Sequence, residues 1–280
     1  MRRLDERNVC IGVFILSVLL NLGFSSVGLR NSLLEIHEFR QLQTAYSTRY
    51  IQSDGFSLAY PTPLFGPPWS APMEFPLYQV CVAQFVKLTG LPLEPAGRLV
   101  SLAFLFLGLP AGFGLAGLLA LPPHRRWLFL SLILLSPGYL YYSRSFLIES
   151  TALCVSAWFL LGYCKALQLR SRGWLAAAVG FGIAAALTKV TTLIVFLVVA
   201  AAYTLHLLWK DARDPTTRPR LWGTILFALA ATIPAVAIGT AWVHFSDAVK
   251  LSNPLSADLV SANLWTFNFG TWHQRLSGQF

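Results

Sequence analysis

Seven stretches of the chain are apolar over roughly the 20 residues that a helix needs to cross a lipid bilayer. The first follows Arg2 and Arg3 and has no clear cleavage site after it, so it is predicted to be an uncleaved anchor. The third and fifth are short and are expected to extend into their flanks. The pattern predicts an all-α integral membrane protein with transmembrane helices over residues 9–29, 98–121, 127–142, 146–168, 173–188, 190–209 and 221–243.

One further apolar stretch, residues 75–90, is too short to cross comfortably and is interrupted by polar residues. If it lies in the membrane interface, one side of the membrane holds 12 of the 21 Lys and Arg residues, in segments 1–8, 120–126, 165–173 and 209–220. Positively charged loops are typical of the cytoplasmic side. The charges therefore favour an interfacial or re-entrant helix, and they predict an external side formed by residues 30–98, 143–149, Lys189 and 244–280.

Composition excludes several classes of protein. Hydrophobic residues make up 55% of the 280 positions and charged residues only 12%, whereas a soluble domain carries about 25% charged residues. A water-soluble enzyme, a disordered protein and a disulfide scaffold are thereby excluded. The net charge of +9 falls in short clusters between apolar stretches, which indicates membrane orientation rather than a nucleic-acid partner.

The first external loop, residues 30–97, is far longer than a simple connection, and such loops are usually functional. Asn31 or Ser32 is predicted to cap a helix that runs to about residue 50. Its apolar stripe is formed by Ile36, Phe39, Leu42, Tyr46 and Tyr50. Its polar face carries His37, Gln41, Thr44 and Thr48, with Glu38 at the border. This pattern predicts a helix that lies on the membrane with its polar face toward water.

Prolines at positions 61, 63, 67, 68, 72 and 76 follow that helix. Such a segment can be neither a helix nor a central strand. A rigid external lid is the simplest interpretation, with Trp69, Glu74 and Tyr78 as its candidate residues. We expect a transmembrane module over residues 1–243 and an external C-terminal segment over 244–280.

Eight of the twelve acidic residues fall on the predicted external side, close to the membrane, where we expect the chemistry. His37 and Glu38 are the first candidates. A Glu at the edge of an interfacial helix, flanked by aromatic side chains and lipid, suits a general base. The alternative is an ordinary solvated polar face.

Residues 141–150 and Lys189 are the other candidates. Arg144 and Glu149 lie at the predicted membrane boundary, where an unpaired charge is costly. Alternatively, Arg144 snorkels and the pair Tyr141 and Tyr142 belongs to an aromatic belt. Lys189 either binds an anionic headgroup or anchors two helix ends. Together these residues suit an anionic, lipid-linked substrate whose phosphate lies near the interface.

In their order along the chain, these motifs resemble the GT-C integral-membrane glycosyltransferases. The similarity is to the dolichyl-phosphate-mannose–protein mannosyltransferases (glycosyltransferase family 39) and to bacterial aminoarabinose lipid transferases. It covers about residues 30–195, the N-terminal part of such an enzyme. The motifs are the Glu-x-Arg element after the first helix, PPW…EFPLYQ, a helix that begins RLVS, LLSPGYLYYSRSFLIES and an LTK turn.

The resemblance implies roles for particular residues. Glu38 and Arg40 match the second acid and the Arg of the family's acidic element, whereas His37 stands where the family has its first acid. Either Glu38 or His37 would therefore deprotonate the acceptor. Glu149 falls at a further acidic position of the family and would orient the acceptor, the base or a neighbouring cation.

The implied reaction moves a sugar from a polyprenyl-phosphate donor to an acceptor hydroxyl, with inversion at the anomeric carbon. Arg144 and Lys189 would hold the leaving phosphate, and Arg40 and Tyr142 would also contact the donor. No metal or other cofactor is required. The acceptor is a protein, a lipid or a polysaccharide, and the enzyme would be a multi-pass protein of the cytoplasmic membrane with its site on the external face.

Two other functions remain open. A non-catalytic lipid-binding or assembly subunit is consistent with His37 at an acidic position. A transporter or flippase of lipid-linked sugars is disfavoured, because no charge lies deep within an apolar stretch and no pair of broken helices marks a midplane site. GT-C enzymes have more helices than seven, so we expect a truncated form, half of a split enzyme or a short relative.

Overall fold

The computed structural model describes residues 5–277, apart from the side chains of 267–269; Arg2 and Arg3 lie outside it. Within this range the chain is all-helical and contains no β-strand. Its helices are α1 (Glu6–Ser26), α2 (Glu38–Asp54), α3 (Leu77–Thr89), α4 (Leu93–Leu118), α5 (Pro123–Leu135), α6 (Pro137–Tyr142), α7 (Glu149–Leu169), α8 (Arg172–Thr188), α9 (Val190–Arg213), α10 (Leu221–Leu251), α11 (Ser261–Phe269) and α12 (Trp272–Leu276).

Five of the described helices are long and apolar enough to cross a membrane: α1, α4, α7, α9 and α10 with the short turn that precedes it. These helices indicate a membrane protein. The apolar stretch 127–142 is not one helix, because Pro137 follows an extended Ser136 and separates α5 from α6. The stretch 173–188 is the 17-residue α8. The helix predicted over 221–243 is present as α10 and continues to Leu251.

Small residues let α8 lie between α7 and α10. A methyl group added to Gly162 of α7 would stand 3.1 Å from the backbone of Ala178, and one on Gly239 of α10 would stand 3.0 Å from Ala186. Close helix approach of this kind is typical of membrane bundles, in which dispersion contacts replace the hydrophobic effect. The result is a core shared by α7, α8, α9 and α10.

A second core joins α2, α3 and α4 to the loop that precedes α7. Tyr78 of α3 is fully buried in it, donates its hydroxyl to the carbonyl of Gly97 and packs edge-on against Phe146. The short helix expected within 75–90 is confirmed as α3. Tyr78, a predicted lid residue, belongs to α3 rather than to the proline-rich segment, and its side chain is buried in this core.

The start predicted for α2 at Asn31 or Ser32 is wrong, since the helix begins at Glu38. The buried guanidinium of Arg98 on α4 donates to the carbonyls of Gly28 and Ser32 and holds this segment in turns. Arg98 also lies 3.6 Å from Glu35.

The polar face of α2 does not meet water as predicted. Gln41, Thr44 and Thr48 are buried. Gln41 accepts from the backbone N–H of Phe146, and each threonine donates to the carbonyl four residues earlier. These hydrogen bonds satisfy the polar atoms, so the polar face can be buried against the protein. The aromatic side of the helix is exposed at Phe39 and Tyr46.

The proline-rich strap, residues 60–76, has no α-helix and no strand, as predicted. It contains one 3-10 turn and crosses the end of α10. Trp242 donates to the carbonyl of Met73, Ser246 to that of Pro72 and Asn253 to that of Phe65. Two side chains of α10 and one from the turn that follows it thus fix the path of the strap.

The two ends of the bundle differ in charge. At one end Glu6 of α1 meets His124 and Arg125 of α5, and Arg170 donates to the carbonyl of Arg220. The predicted basic segments therefore lie together. The strap, α2, α3 and the first residue of α7 lie at the opposite end, which carries most of the acidic residues.

Gly97→Ala should destabilise the protein by about 1–3 kcal/mol, because the added methyl group would overlap the buried ring of Phe146. Gly180→Ala on α8 is the matched control, since nothing lies within 4 Å of the added carbon. Thermal unfolding in detergent measures both. Equal effects of the two substitutions would contradict the packing described for α3, α4 and Phe146.

Candidate functional site

Besides the contact of Arg98 with Glu35, three ion pairs lie at the acidic end of the bundle. Lys189 Nζ is 2.8 Å from Glu149 Oε1, and Arg40 Nη2 is 2.7 Å from Glu74 Oε1. The third pair joins Lys250 to Asp247 at 3.5 Å, one turn apart on α10. Each pair includes at least one side chain that is less than a third exposed, so these charges are only partly solvated.

Lys189 stands at the single extended residue between α8 and α9. Its N–H donates to the carbonyl of Ala185, and its own carbonyl accepts from Thr192, so the break costs few hydrogen bonds. Glu149 is the first residue of α7. The ion pair therefore ties the start of α7 to the α8–α9 junction. Glu149 Oε2 is buried and has no hydrogen-bond partner among the described residues.

Glu74 lies on the strap, which holds it in place through its backbone. The hydroxyl of Tyr60 donates to the carbonyl of Glu74 and accepts from the N–H of Met73. Burial raises the pKa of Tyr60 above its ordinary value, so the hydroxyl keeps its proton. Arg40 also donates to Gln43, and the neighbouring Glu74 raises the pKa of Arg40.

Asp247 and Lys250 lie near the C-terminal end of α10. Lys250 is 5% exposed, and its ammonium would be costly there without Asp247. Both oxygens of Asp247 accept from the backbone N–H of Ser261, and Oδ2 also accepts its hydroxyl proton. Asp247 thereby caps the first turn of α11 from another helix.

These elements enclose a cleft of about 310 Å³ between α9, α10, α11 and the strap. A volume of this size is at the lower end of the range for small-molecule sites. Its charged lining residues are Glu74, Lys189, Asp247 and Lys250. Most of the remaining wall is apolar, from Met73, Val190, Ile194, Trp242, Val243, Leu264 and Trp265.

A second hollow of about 320 Å³ adjoins the cleft along α9 and α10. It shares Ala186, Val190, Ile194 and Val243 with the cleft and continues past Leu197, Val236 and Gly239. Apart from Thr240 and His244, its walls are apolar. The combined space is amphiphilic, with two ammonium and two carboxylate groups at one end and an apolar groove at the other.

The first predicted candidates lie outside this cleft. His37 is exposed in a left-handed conformation before α2, and its ring lies 5.8 Å from Tyr141 and 6.5 Å from Tyr142. Glu38 is exposed at the start of α2, and no described residue forms an ion pair with it. The predicted first external loop does contribute an acid to the cleft, but that acid is Glu74 rather than Glu38.

The remaining predicted residues divide between the cleft and its surroundings. Lys189 and Glu74 line it, Glu149 pairs with Lys189, and Arg40 pairs with Glu74. Arg144 instead donates to the carbonyl of Val27 beside the end of α1. Tyr142 contacts His37 and Tyr141, and Trp69 is 53% exposed on the strap.

Sequence reasoning missed Lys250, which lines the cleft, and the buried Arg98 that shapes the first loop. A usable signal was present for Lys250, because it follows Asp247 by three residues at the end of an apolar helix. The sequence holds no comparable signal for Arg98 beyond its place in an apolar helix. Its hydrogen-bond partners are backbone carbonyls, which no residue type reveals.

Within residues 5–277, no group of three or more His, Cys, Asp or Glu side chains has the arrangement of a metal site. Comparison of the chain with protein-family models, with curated proteins and with solved structures finds no match.

Glu149→Gln and Lys189→Met should each lower stability, because each leaves one partly buried charge without its partner. Buried pairs cost about 3–5 kcal/mol to break, and exposure reduces this to about 1–3 here. A double-mutant cycle by thermal or denaturant unfolding should give a coupling of roughly 0.5–3 kcal/mol.

The exposed pair Arg125 and Glu6, at the basic end, is the matched control. Its coupling should be clearly weaker, because solvent screens both of its charges. If Glu149 and Lys189 couple as weakly as this control, the tie between α7 and the α8–α9 junction is not a structural one.

Proposed function

We propose that the chain is an inverting glycosyltransferase that takes a sugar from a polyprenyl-phosphate donor and transfers it to an acceptor hydroxyl. One observation carries the proposal: the cleft places two ammonium groups, each held beside a carboxylate, next to an adjoining apolar groove. A polyprenyl phosphate has the complementary form, an anionic head on a long hydrocarbon tail. The order of motifs along residues 30–195 supplies the reaction class.

Lys189 and Lys250 would contact the phosphate, whose charge grows as the sugar leaves. Preorganised cations at developing charge are typically the largest catalytic contribution. Glu149 would position Lys189, and Asp247 would position Lys250. The tail would follow the groove between α9 and α10 toward the middle of the membrane.

The strap would limit the access of water, since hydrolysis of the donor competes with transfer. The cleft would face the external side of a bacterial-type cytoplasmic membrane, because the basic segments lie at the opposite end and positive charge favours the cytoplasm. On this orientation α8 and the α5–α6 segment complete seven crossings.

A non-catalytic lipid-binding subunit is the second candidate. The position of His37 and Glu38 outside the cleft favours it, because Glu38 matches the family's acidic element and His37 stands at the place of its first acid. Such a subunit would bind the same lipid without turnover. Both functions therefore predict binding of undecaprenyl phosphate, and only the transferase predicts transfer of the sugar to an acceptor.

Undecaprenyl phosphate should raise the thermal stability of the purified protein, and Lys189→Ala should abolish this increase. A ligand that binds only the folded state stabilises by about 2.7 kcal/mol at a hundred times its dissociation constant. Lys87→Ala, an exposed lysine on α3, is the control and should retain the shift. Undecaprenol without phosphate should give a smaller shift than the phosphate. No shift in the wild type would refute lipid-phosphate binding.

Ile194→Trp should weaken binding of undecaprenyl phosphate, because Ile194 lines both the cleft and the groove. The neighbouring Val195 is 63% exposed and lines neither, so Val195→Trp is a control of equal bulk. A titration by thermal shift compares the two. Equal affinities would place the tail elsewhere.

A further inference from the structure

Transfer to a hydroxyl requires a group that takes the acceptor's proton, and the two residues first considered, His37 and Glu38, lie outside the cleft. This inference rests on the proposed function and asks which carboxylate performs the step. Four conditions define a candidate: it lines the cleft, it retains a free oxygen, it is partly accessible, and its position is fixed.

Asp247 fails the second condition. Ser261 and Lys250 together engage both of its oxygens, and the cap that it forms holds α11. Glu149 fails the first and third. It does not line the cleft, Oε1 faces Lys189, and Oε2 is buried away from solvent.

Glu74 meets all four. It lines the cleft with 26% of its side chain exposed, and among the described residues only its Oε1 has a partner, which is Arg40. Its backbone carbonyl accepts from Tyr60, and the preceding Met73 carbonyl accepts from Trp242. Arg40 orients the carboxylate from one side, so Oε2 is the oxygen left to accept a proton.

We propose that Glu74 is the general base of the transfer and a catalytic residue. Its Oε2 takes the proton as the acceptor O–H bond breaks, and the acceptor oxygen forms its bond to the anomeric carbon. The bond from that carbon to the phosphate oxygen breaks on the opposite face. The electron pair leaves with the polyprenyl phosphate, between Lys189 and Lys250.

The test uses the full chain in lipid nanodiscs with a panel of undecaprenyl-phosphate sugars radiolabelled in the sugar, and bacterial membranes as the acceptor source. Glu74→Gln keeps the size of the side chain and a hydrogen bond to Arg40. It should lower turnover by at least about a hundredfold, the lower end of general-base contributions. The thermal shift with undecaprenyl phosphate should remain.

Chemical rescue separates a catalytic from a structural role. Glu74→Ala should regain part of its turnover when formate is added, because the small carboxylate fits the space that the substitution leaves. Glu94→Gln, an exposed residue at the start of α4, is the matched control and should turn over like the wild type.

Each result decides the question. Turnover of Glu74→Gln within a few-fold of the wild type, or failure of formate to rescue Glu74→Ala, overturns Glu74 as the base while the transferase stands. Loss of the undecaprenyl phosphate shift in Glu74→Gln assigns it to binding instead. A wild type that binds undecaprenyl phosphate but transfers no labelled sugar from the panel to the membrane acceptors refutes the transferase itself and leaves the lipid-binding subunit.

Discussion

The ion pair between Lys189 and Glu149 is the interaction on which the arrangement of the cleft depends. A charge at the boundary of an apolar bundle is stable only with a partner or with access to water. Here the partner is the first residue of α7, so the requirement to pair fixes where α7 starts relative to the α8–α9 junction. One wall of the cleft follows from that contact.

The other walls of the cleft are held by polar side chains that form hydrogen bonds with backbone groups. Trp242 and Ser246 hold the strap through its carbonyls, and Asp247 holds α11 through the N–H of Ser261. A segment rich in proline has few N–H groups, so it cannot supply donors to its own carbonyl groups. Side chains of α10 donate to these carbonyls instead. This arrangement places Glu74 of the strap in the same cleft as Lys189 and Lys250.

Much of the fold could be predicted, because apolar length and charge asymmetry are properties of single segments. Lys189 at a helix break and the non-helical strap were predictable for this reason. The start of α2, the burial of Gln41 and the separation of Glu38 from the cleft were not. They depend on contacts between distant residues, such as Arg98 with Gly28 and Gln41 with Phe146, which periodicity does not register.

The most direct test of the central claim, that a lipid phosphate binds in the cleft, is photo-crosslinking with an undecaprenyl phosphate analogue. A diazirine on the first isoprene unit would react with whatever lies beside the phosphate. Peptide mapping should place the adduct on the start of α9 or the end of α10, and excess undecaprenyl phosphate should compete for it. Adducts confined to α1 or to the basic end of the bundle would contradict the claim.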